Sequence, residues 1–226
     1  MELQSLRPSN LIRVMPAKEV RSIVLPRIHC ITDFPSHEEE TLDLLEAVVR
    51  AGVDAVQVRA KRLNDRELFA FTRRLVDRLC NTTTKVIVND RLDIALAAGA
   101  HGVHLGLEDL PVAEARRLAP DGFLIGGTCR NPEHARRARA EGADYVGVGP
   151  IYPSTTKNGL PASIGLDTLR ETAKLLPTIA ISGINADRVP EVMAAGAYGV
   201  AVGAAISRAE HPGHAAKEIV DAVLGA

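Results

Sequence analysis

The sequence predicts a single (β/α)8 barrel, and the main observation is a four-fold internal repeat. The similar segments are AGVDAVQVR at 51–59, AGAHGVHLG at 98–106, EGADYVGVG at 141–149 and AGAYGVAVG at 195–203. In each segment, a glycine suits the left-handed backbone conformation of the residue that ends a helix. A short alternation of apolar residues, typical of a strand, follows. The segments start 47, 43 and 54 residues apart, which is enough chain for two β-α units each.

One further strand is predicted before the first repeat segment and one in each of the three intervals between segments. These strands are RIHCIT at 27–32, KVIVN at 85–89, GFLIGG at 122–127 and TIAIS at 178–182. Eight strands alternating with helices in about 200 residues are typical of a (β/α)8 barrel. An open, doubly wound sheet is the competing architecture. The four-fold recurrence favours the closed barrel, because each pair of units then has an equivalent place.

Helix-start signals occur between the predicted strands. NDRE at 64–67 resembles a capping box. NPEH at 131–134 and HPGH at 211–214 place proline at the first helical position. Pro190 suits the first turn of a helix capped by Asp187, where a missing N–H is tolerated.

Composition limits the class of protein and of partner. The chain is 46% hydrophobic and 24% charged with a formal net charge of −1, so we expect neither nucleic acid nor a membrane surface as partner. No apolar stretch approaches the roughly 20 residues needed to cross a bilayer. Three scattered cysteines fit a reducing compartment, and a cytoplasmic location is expected. We interpret residues 1–26 as an N-terminal arm and 27–226 as the barrel.

The active site of such a barrel lies at the carboxyl ends of its strands. Candidate site residues, most of them polar, charged or glycine, lie at the ends of seven of the predicted strands. They are Gln57, Arg59 and Lys61; Asn89 and Asp90; Asp109; Thr128, Cys129 and Arg130; Ser154, Thr155, Thr156 and Lys157; Ser182 and Gly183; and Val202 and Gly203.

Two anion sites are predicted at this rim. Clustered cations and hydroxyls suit phosphate oxygens. Asp90 and Asp109 would repel each other unless a hard cation lay between them, which predicts Mg²⁺ on a pyrophosphate. The alternative, that each aspartate only caps the following helix, stays open. The glycine turns after the last two strands suit a monophosphate, although turn glycines alone are common.

Taken together, these segments resemble the thiamine-phosphate synthase family. The matching pieces are QVRAK, VNDRLDIALAAGAHGVHLGLEDLP, GADYVGVGPIYPSTTK, AISGI and GVAVGAAI, which occur in the family's order between about residues 28 and 222. The resemblance implies coupling of hydroxymethylpyrimidine pyrophosphate to a thiazole phosphate, with or without a carboxylate. The resemblance also implies that pyrophosphate leaves first and that the thiazole nitrogen then attacks a pyrimidine-methyl cation. Small-molecule substrates and a homo-oligomer are therefore expected.

The resemblance also implies roles for individual residues. Asp90 and Asp109 would bind Mg²⁺, and catalysis would rest on Arg59, Lys61, Thr128 and Lys157. The pyrimidine pyrophosphate would meet Gln57, Arg59, Lys61, Asn89, Thr128 and Lys157. The thiazole phosphate would meet Ser154, Thr155 and Thr156, with its phosphate on backbone groups of Gly183, Val202 and Gly203.

Three positions depart from the family's pattern. Thr128-Cys129-Arg130 stands where a Ser-x-His is usual, Leu107 where Gln is common, and Gly203 where Ser is common. Arg130 cannot act as a neutral base. The alternatives are a related thiazole tautomerase, which relies on a histidine at position 130, and a non-catalytic regulator that binds thiamine precursors. A Schiff-base aldolase using Lys157 or Lys61 is a further one. We interpret His104 as a packed, hydrogen-bonded histidine and Cys129 as a passive thiol at the rim.

Overall fold

The computed structural model describes residues 24–32, 38–153 and 162–226. Eight parallel strands close into a barrel in sequence order, with β8 pairing to β1. The predicted (β/α)8 barrel is therefore confirmed. The strands are β1 Ile28–Ile31, β2 Ala55–Val58, β3 Lys85–Asn89, β4 Gly102–Leu105, β5 Leu124–Cys129, β6 Tyr145–Val148, β7 Thr178–Ile181 and β8 Gly199–Val202.

Helices surround the strands. They are α1 Glu38–Arg50, α2 Asp65–Leu79, α3 Leu92–Ala97, α4 Val112–Leu118, α5 Pro132–Ala140, α6 Gly165–Ala173, α7 Val189–Ala194, α8 Ala204–Ser207 and α9 Pro212–Leu224. None of the helices in the described ranges is long and apolar enough to cross a membrane. Of the predicted arm, 1–26, only residues 24–26 are described, so that boundary stays a prediction.

Most helix-start predictions are confirmed. Asn64 accepts a hydrogen bond from the backbone N–H of Glu67 at 3.1 Å, and Glu67 accepts one from the N–H of Asn64 at 2.9 Å. Pro190 lies in the first turn of α7, but Asp187 does not cap that helix. Instead, Asn185 accepts from the N–H of Arg188 and starts a 3-10 turn that runs directly into α7. The cap therefore lies two residues before the predicted one, because this extra turn precedes the α-helix.

The repeat has a structural meaning at the amino-terminal end of the barrel. Its glycines have left-handed backbone angles, with φ between 71° and 104°, as predicted. Two residues further on, Asp54, His101 and Asp144 accept hydrogen bonds of 2.7 to 3.1 Å from backbone N–H groups near the starts of β1, β3 and β5. The same repeat position thus ties neighbouring strands together. The four glycines are Gly52, Gly99, Gly142 and Gly196.

Strand β5 differs from its prediction in a way that affects the site. It runs to Cys129 rather than ending at 127, because its ladder with β6 continues until Cys129 pairs with Val148. The glycine pair at 126–127 carries no apolar alternation, so the pattern did not reveal the last two residues. Thr128 consequently lies on the inward face of the strand, and Cys129 faces the helices.

Candidate functional site

A cavity of about 600 Å³ opens at the carboxyl ends of the strands and descends into the barrel. Nine of the residues predicted from strand ends line it. Glycines make room for its floor, because a Cβ at Gly126 would lie 2.3 Å from Tyr145 Cζ and 2.6 Å from His104 Nδ1. The nine residues are Gln57, Arg59, Asn89, Thr128, Arg130, Ser182, Gly183, Val202 and Gly203.

Three of the other predicted residues form a group beside the cavity rather than in its wall. Lys61 Nζ lies 2.6 Å from the Oδ2 atom of Asp90. Burial, followed by the neighbouring Asp90 carboxylate, raises the pKa of Asp109. The structure therefore brings Lys61, Asp90 and Asp109 together from the ends of β2, β3 and β4.

The two aspartates do not cap the following helices. Neither α3, which follows Asp90, nor α4, which follows Asp109, has a side-chain cap hydrogen bond. Asp90 instead has a left-handed backbone, with φ 67°, and its N–H donates to the backbone oxygen of His104 at 2.8 Å. Asp109 Oδ2 accepts from the N–H of Gly106 at 2.5 Å. The helix-cap interpretation is wrong for both residues.

The end of β2 is held from β1. Thr32 Oγ1 accepts a 2.9 Å hydrogen bond from the N–H of Arg59, and the N–H of Thr32 donates to the backbone oxygen of Gln57 at 3.0 Å. These contacts orient the strand end from which Gln57 and Arg59 face the cavity. Ser154, Thr155, Thr156 and Lys157 lie outside the described residues, so their roles stay predictions.

The cavity floor is aromatic and polar. His104 Nε2 lies 3.1 Å from Thr128 Oγ1, which confirms His104 as a packed, hydrogen-bonded histidine. The Tyr145 ring lies 5.7 Å from the His104 ring and 5.3 Å from that of His29. Burial raises the pKa of Tyr145 and lowers the pKa of His29 to about 4. The Tyr145 hydroxyl is buried and has no hydrogen-bond partner in the part of the chain that the structure describes.

Sequence reasoning missed several cavity residues. Tyr145 was not singled out, although it and Gly147, also in the cavity wall, are two apart on the same face of β6. Arg188 and Arg208 also line the cavity, each five residues after a predicted phosphate-binding glycine. Reading only the residues next to each strand excluded them.

Cys129 is not at the rim as predicted. Its side chain is fully buried on the outer face of β5, and burial raises the pKa of its thiol to about 12. A thiol that stays protonated is a poor nucleophile, so its interpretation as a passive group agrees with the structure.

The chain is similar to known proteins over most of its length. The family model described as thiamine monophosphate synthase matches residues 28–206. A thiamine-phosphate synthase of Methanoculleus marisnigri is 44% identical over 186 residues, which cover 81% of this chain and 88% of that protein. The bifunctional protein ThiM/ThiE of Symbiobacterium thermophilum is 44% identical over 183 residues, covering 80% of this chain but only 38% of that longer protein.

A solved structure agrees in sequence and in fold. The thiamine phosphate pyrophosphorylase from Pyrococcus furiosus superposes with a TM-score of 0.78 at 32% identity, covering 88% of this chain and 96% of that one. The family match, residues 28–206, contains all eight strands, the Lys61–Asp90–Asp109 group and every cavity-lining residue except Arg208. The chain therefore belongs to the thiamine monophosphate synthase family.

Proposed function

We propose that the chain acts as a thiamine-phosphate synthase, a transferase of thiamine biosynthesis, through a dissociative and Mg²⁺-dependent substitution. The reaction couples hydroxymethylpyrimidine pyrophosphate to a thiazole phosphate and releases pyrophosphate. One observation carries the proposal beyond family membership. Four arginines line the cavity, and none of its lining residues in the described ranges is a carboxylate. A cavity with this charge suits two phosphorylated substrates.

The pyrophosphate end of the proposed site lies at β2 to β5. Arg59, Asn89 and Arg130 face the cavity there, and Lys61 stands beside it. Negative charge accumulates on the pyrophosphate as its bond to the pyrimidine methylene breaks. Cations placed there in advance stabilise the transition state more than the ground state. In this proposal Arg59 and Lys61 hold the leaving group, and Thr128 lies below it.

The donor set of Asp90 and Asp109 fits Mg²⁺. Burial, followed by the neighbouring Asp90, raises the pKa of Asp109. Two adjacent carboxylates repel each other, and a hard cation relieves that repulsion. No group of three or more His, Cys, Asp or Glu ligands occurs in the described ranges. A two-carboxylate site is what Mg²⁺ uses when water and substrate phosphates complete its shell. When bound, the ion would neutralise charge on the pyrophosphate.

The pyrimidine end of the site is the cavity floor. An aminopyrimidine is flat and carries hydrogen-bonding nitrogens, which suits an aromatic wall with a buried hydroxyl at Tyr145. Gln57, which is 5% exposed, and Thr128 offer further polar groups. This reaction does not require a strong general base, so arginine in place of histidine at position 130 is compatible with it.

The competing functions have less support. A tautomerase of the kind considered would need a histidine where Arg130 stands. Lys61, one of the two lysines considered for a Schiff base, makes an ion pair with Asp90 and is 63% exposed. An aldolase lysine instead needs a desolvated or cationic setting that favours the neutral amine.

The first test is product formation. The purified protein is mixed with both substrates and Mg²⁺, with or without chelator, and thiamine phosphate is measured by fluorescence after oxidation to thiochrome. We expect chelator-sensitive product. Asp90→Ala and Asp109→Ala should abolish it, whereas Asp77→Ala, an exposed carboxylate on α2, should not. A folded protein that binds the substrates without turnover would favour the regulator.

Two broader expectations belong to the same proposal. The three cysteines are unpaired, which supports a cytoplasmic location. A homo-oligomer is expected from the family resemblance, and light scattering on the purified chain measures it directly.

A further inference from the structure

We infer that Arg188 and Arg208 bind the phosphate of the thiazole substrate through their side chains and make the enzyme select phosphorylated thiazoles. This inference rests on the proposed function. The resemblance assigns that phosphate to backbone groups of Gly183, Val202 and Gly203. The two arginines add charge to the same end of the cavity.

The two arginines occupy corresponding positions after two neighbouring strands, β7 and β8. β7 and β8 pair in the sheet, and their glycine turns lie at Gly183 and Gly203. A single helical turn follows each glycine, Ala186–Arg188 after the first and α8 after the second. Arg188 and Arg208 therefore return to the cavity mouth five residues after their glycines, and both line the cavity.

The Arg188 side chain is held over the glycine turn. Its guanidinium carbon lies 4.4 Å from the centre of the Tyr152 ring, and its Nη1 donates to the backbone oxygen of Gly183. The Tyr152 hydroxyl in turn donates to Glu191. A Cβ at Gly183 would lie 3.2 Å from Arg188 Nη1 and 2.7 Å from Tyr152 Cβ, so only glycine leaves the guanidinium in this place.

Neither arginine is neutralised by a neighbouring carboxylate. In the described ranges no ion pair involves Arg188 or Arg208, and Arg188 makes its one side-chain hydrogen bond to Gly183. The nearby Glu191 carboxylate is engaged by Tyr152. Outer-surface arginines such as Arg74 and Arg91 each pair with two carboxylates. Two guanidinium groups without ion pairs, both lining the cavity after adjacent strands, suit a phosphate monoester dianion, which accepts several charge-assisted hydrogen bonds.

The location separates the two anion sites. The pyrophosphate end draws on β2 to β5, whereas these arginines follow β7 and β8. A thiazole alcohol lacks the dianion that they bind. We therefore expect the arginines to affect the thiazole substrate and not the pyrimidine substrate.

The experiment measures binding and turnover of both thiazole forms in Arg188→Ala and Arg208→Ala variants. Calorimetry gives the affinity for thiazole phosphate and for the thiazole alcohol, and steady-state assays give both KM values. Each variant should weaken thiazole-phosphate binding about 10- to 100-fold, which is the effect of one lost charge-assisted contact. Affinity for the alcohol and the KM for the pyrimidine pyrophosphate should stay within about twofold. Arg136→Ala, at an exposed arginine of α5, is the matched control and should change neither the two thiazole affinities nor the KM for the pyrimidine pyrophosphate.

Three outcomes would overturn the inference. The first is unchanged thiazole-phosphate affinity in both variants, and the second is an equal loss for phosphate and alcohol. The third is an equal loss in the Arg136 control. Arg188→Lys and Arg208→Lys should retain part of the affinity that the alanine variants lose, which general damage to the fold would not allow. A failure of the proposed function would look different. If the wild-type protein has no turnover, calorimetry on wild type and on the two arginine variants still shows whether the arginines bind the phosphate.

Discussion

Gly126 is the residue at which the cavity floor is most sensitive to one added methyl group. We predict that Gly126→Ala destabilises the fold and impairs the site together. The new Cβ would lie 2.3 Å from Tyr145 Cζ, 2.5 Å from its hydroxyl oxygen and 2.6 Å from His104 Nδ1. Carbon atoms in contact normally lie about 3.5–4.0 Å apart. Both rings must therefore move, and Tyr145 is only 2% exposed.

The expected magnitude follows from this overlap. Overpacking a well-filled interior costs about 1–3 kcal/mol, and displacement of two buried rings belongs at the upper end of that range. Alanine recovers about 0.4–1 kcal/mol by restricting the unfolded chain. The free energy of unfolding should therefore fall by about 2 kcal/mol, which lowers Tm by roughly 4–8 °C for a domain of this size. Because His104 contacts Thr128, kcat/KM should also fall by about 10- to 100-fold.

The adjacent glycine is the control. A Cβ at Gly127 would lie 3.5 Å from Val112 Cγ2 and 3.7 Å from Ala138 Cβ, which are ordinary contacts. Gly127→Ala should leave Tm within about 2 °C of wild type. Thermal unfolding followed by circular dichroism and the thiochrome assay measure both effects. Equal Tm values for the two variants would refute the packing argument, as would full activity in Gly126→Ala.

Three further predictions concern ionisable groups. Asp144→Ala removes a 2.6 Å, partly buried ion pair with Arg116. Urea unfolding should show that the free energy of unfolding falls by about 2 kcal/mol. A decrease below about 0.5 kcal/mol would contradict this. Burial and Asp90 raise the pKa of Asp109, so the folded chain keeps this proton to higher pH than the unfolded chain does. Stability therefore falls as the pH rises from the pKa of Asp109 in the unfolded chain to its pKa in the folded chain. Asp109→Asn should therefore raise the Tm of chelator-treated protein at pH 7 but not below pH 4, and a lower Tm at pH 7 would argue against it. Burial lowers the pKa of His29 from 6.5 to about 4, so the unfolded state takes up the proton first, and stability should fall by about 3 kcal/mol as pH drops through that interval. His29→Gln should flatten this decline, and an unchanged slope would exclude His29 as its cause.

The elements and part of the site were predictable because their signals are local. A capping box such as Asn64–Glu67 involves residues three apart, and a glycine such as Gly52 is required by the backbone at a single point. The carboxyl ends of all strands lie at the same face of a parallel barrel. Gln57, Arg59 and Asn89 could therefore be placed at one mouth without coordinates.

Other parts of the site depend on where side chains from distant elements meet. Whether Asp90 caps a helix or faces Asp109 depends on its left-handed backbone and on the hydrogen bond to His104, neither of which its neighbours in sequence reveal. The end of β5 depends on its pairing with β6. Arg188 and Arg208 reach the cavity only because a helical turn after each glycine brings the chain back to it.

The sequence by itself determines the order of strands and helices, the four-fold repeat, the family and the residues at the strand ends. These depend on backbone geometry and on spacing along the chain. Only the tertiary structure decided that Lys61, Asp90 and Asp109 form one group, that Tyr145 and His104 form the floor, and that Arg188 and Arg208 line the same cavity. The reason is barrel closure, which places His29 and Tyr145 with ring centres 5.3 Å apart although 116 positions separate them in the chain. Local sequence patterns do not carry such distances.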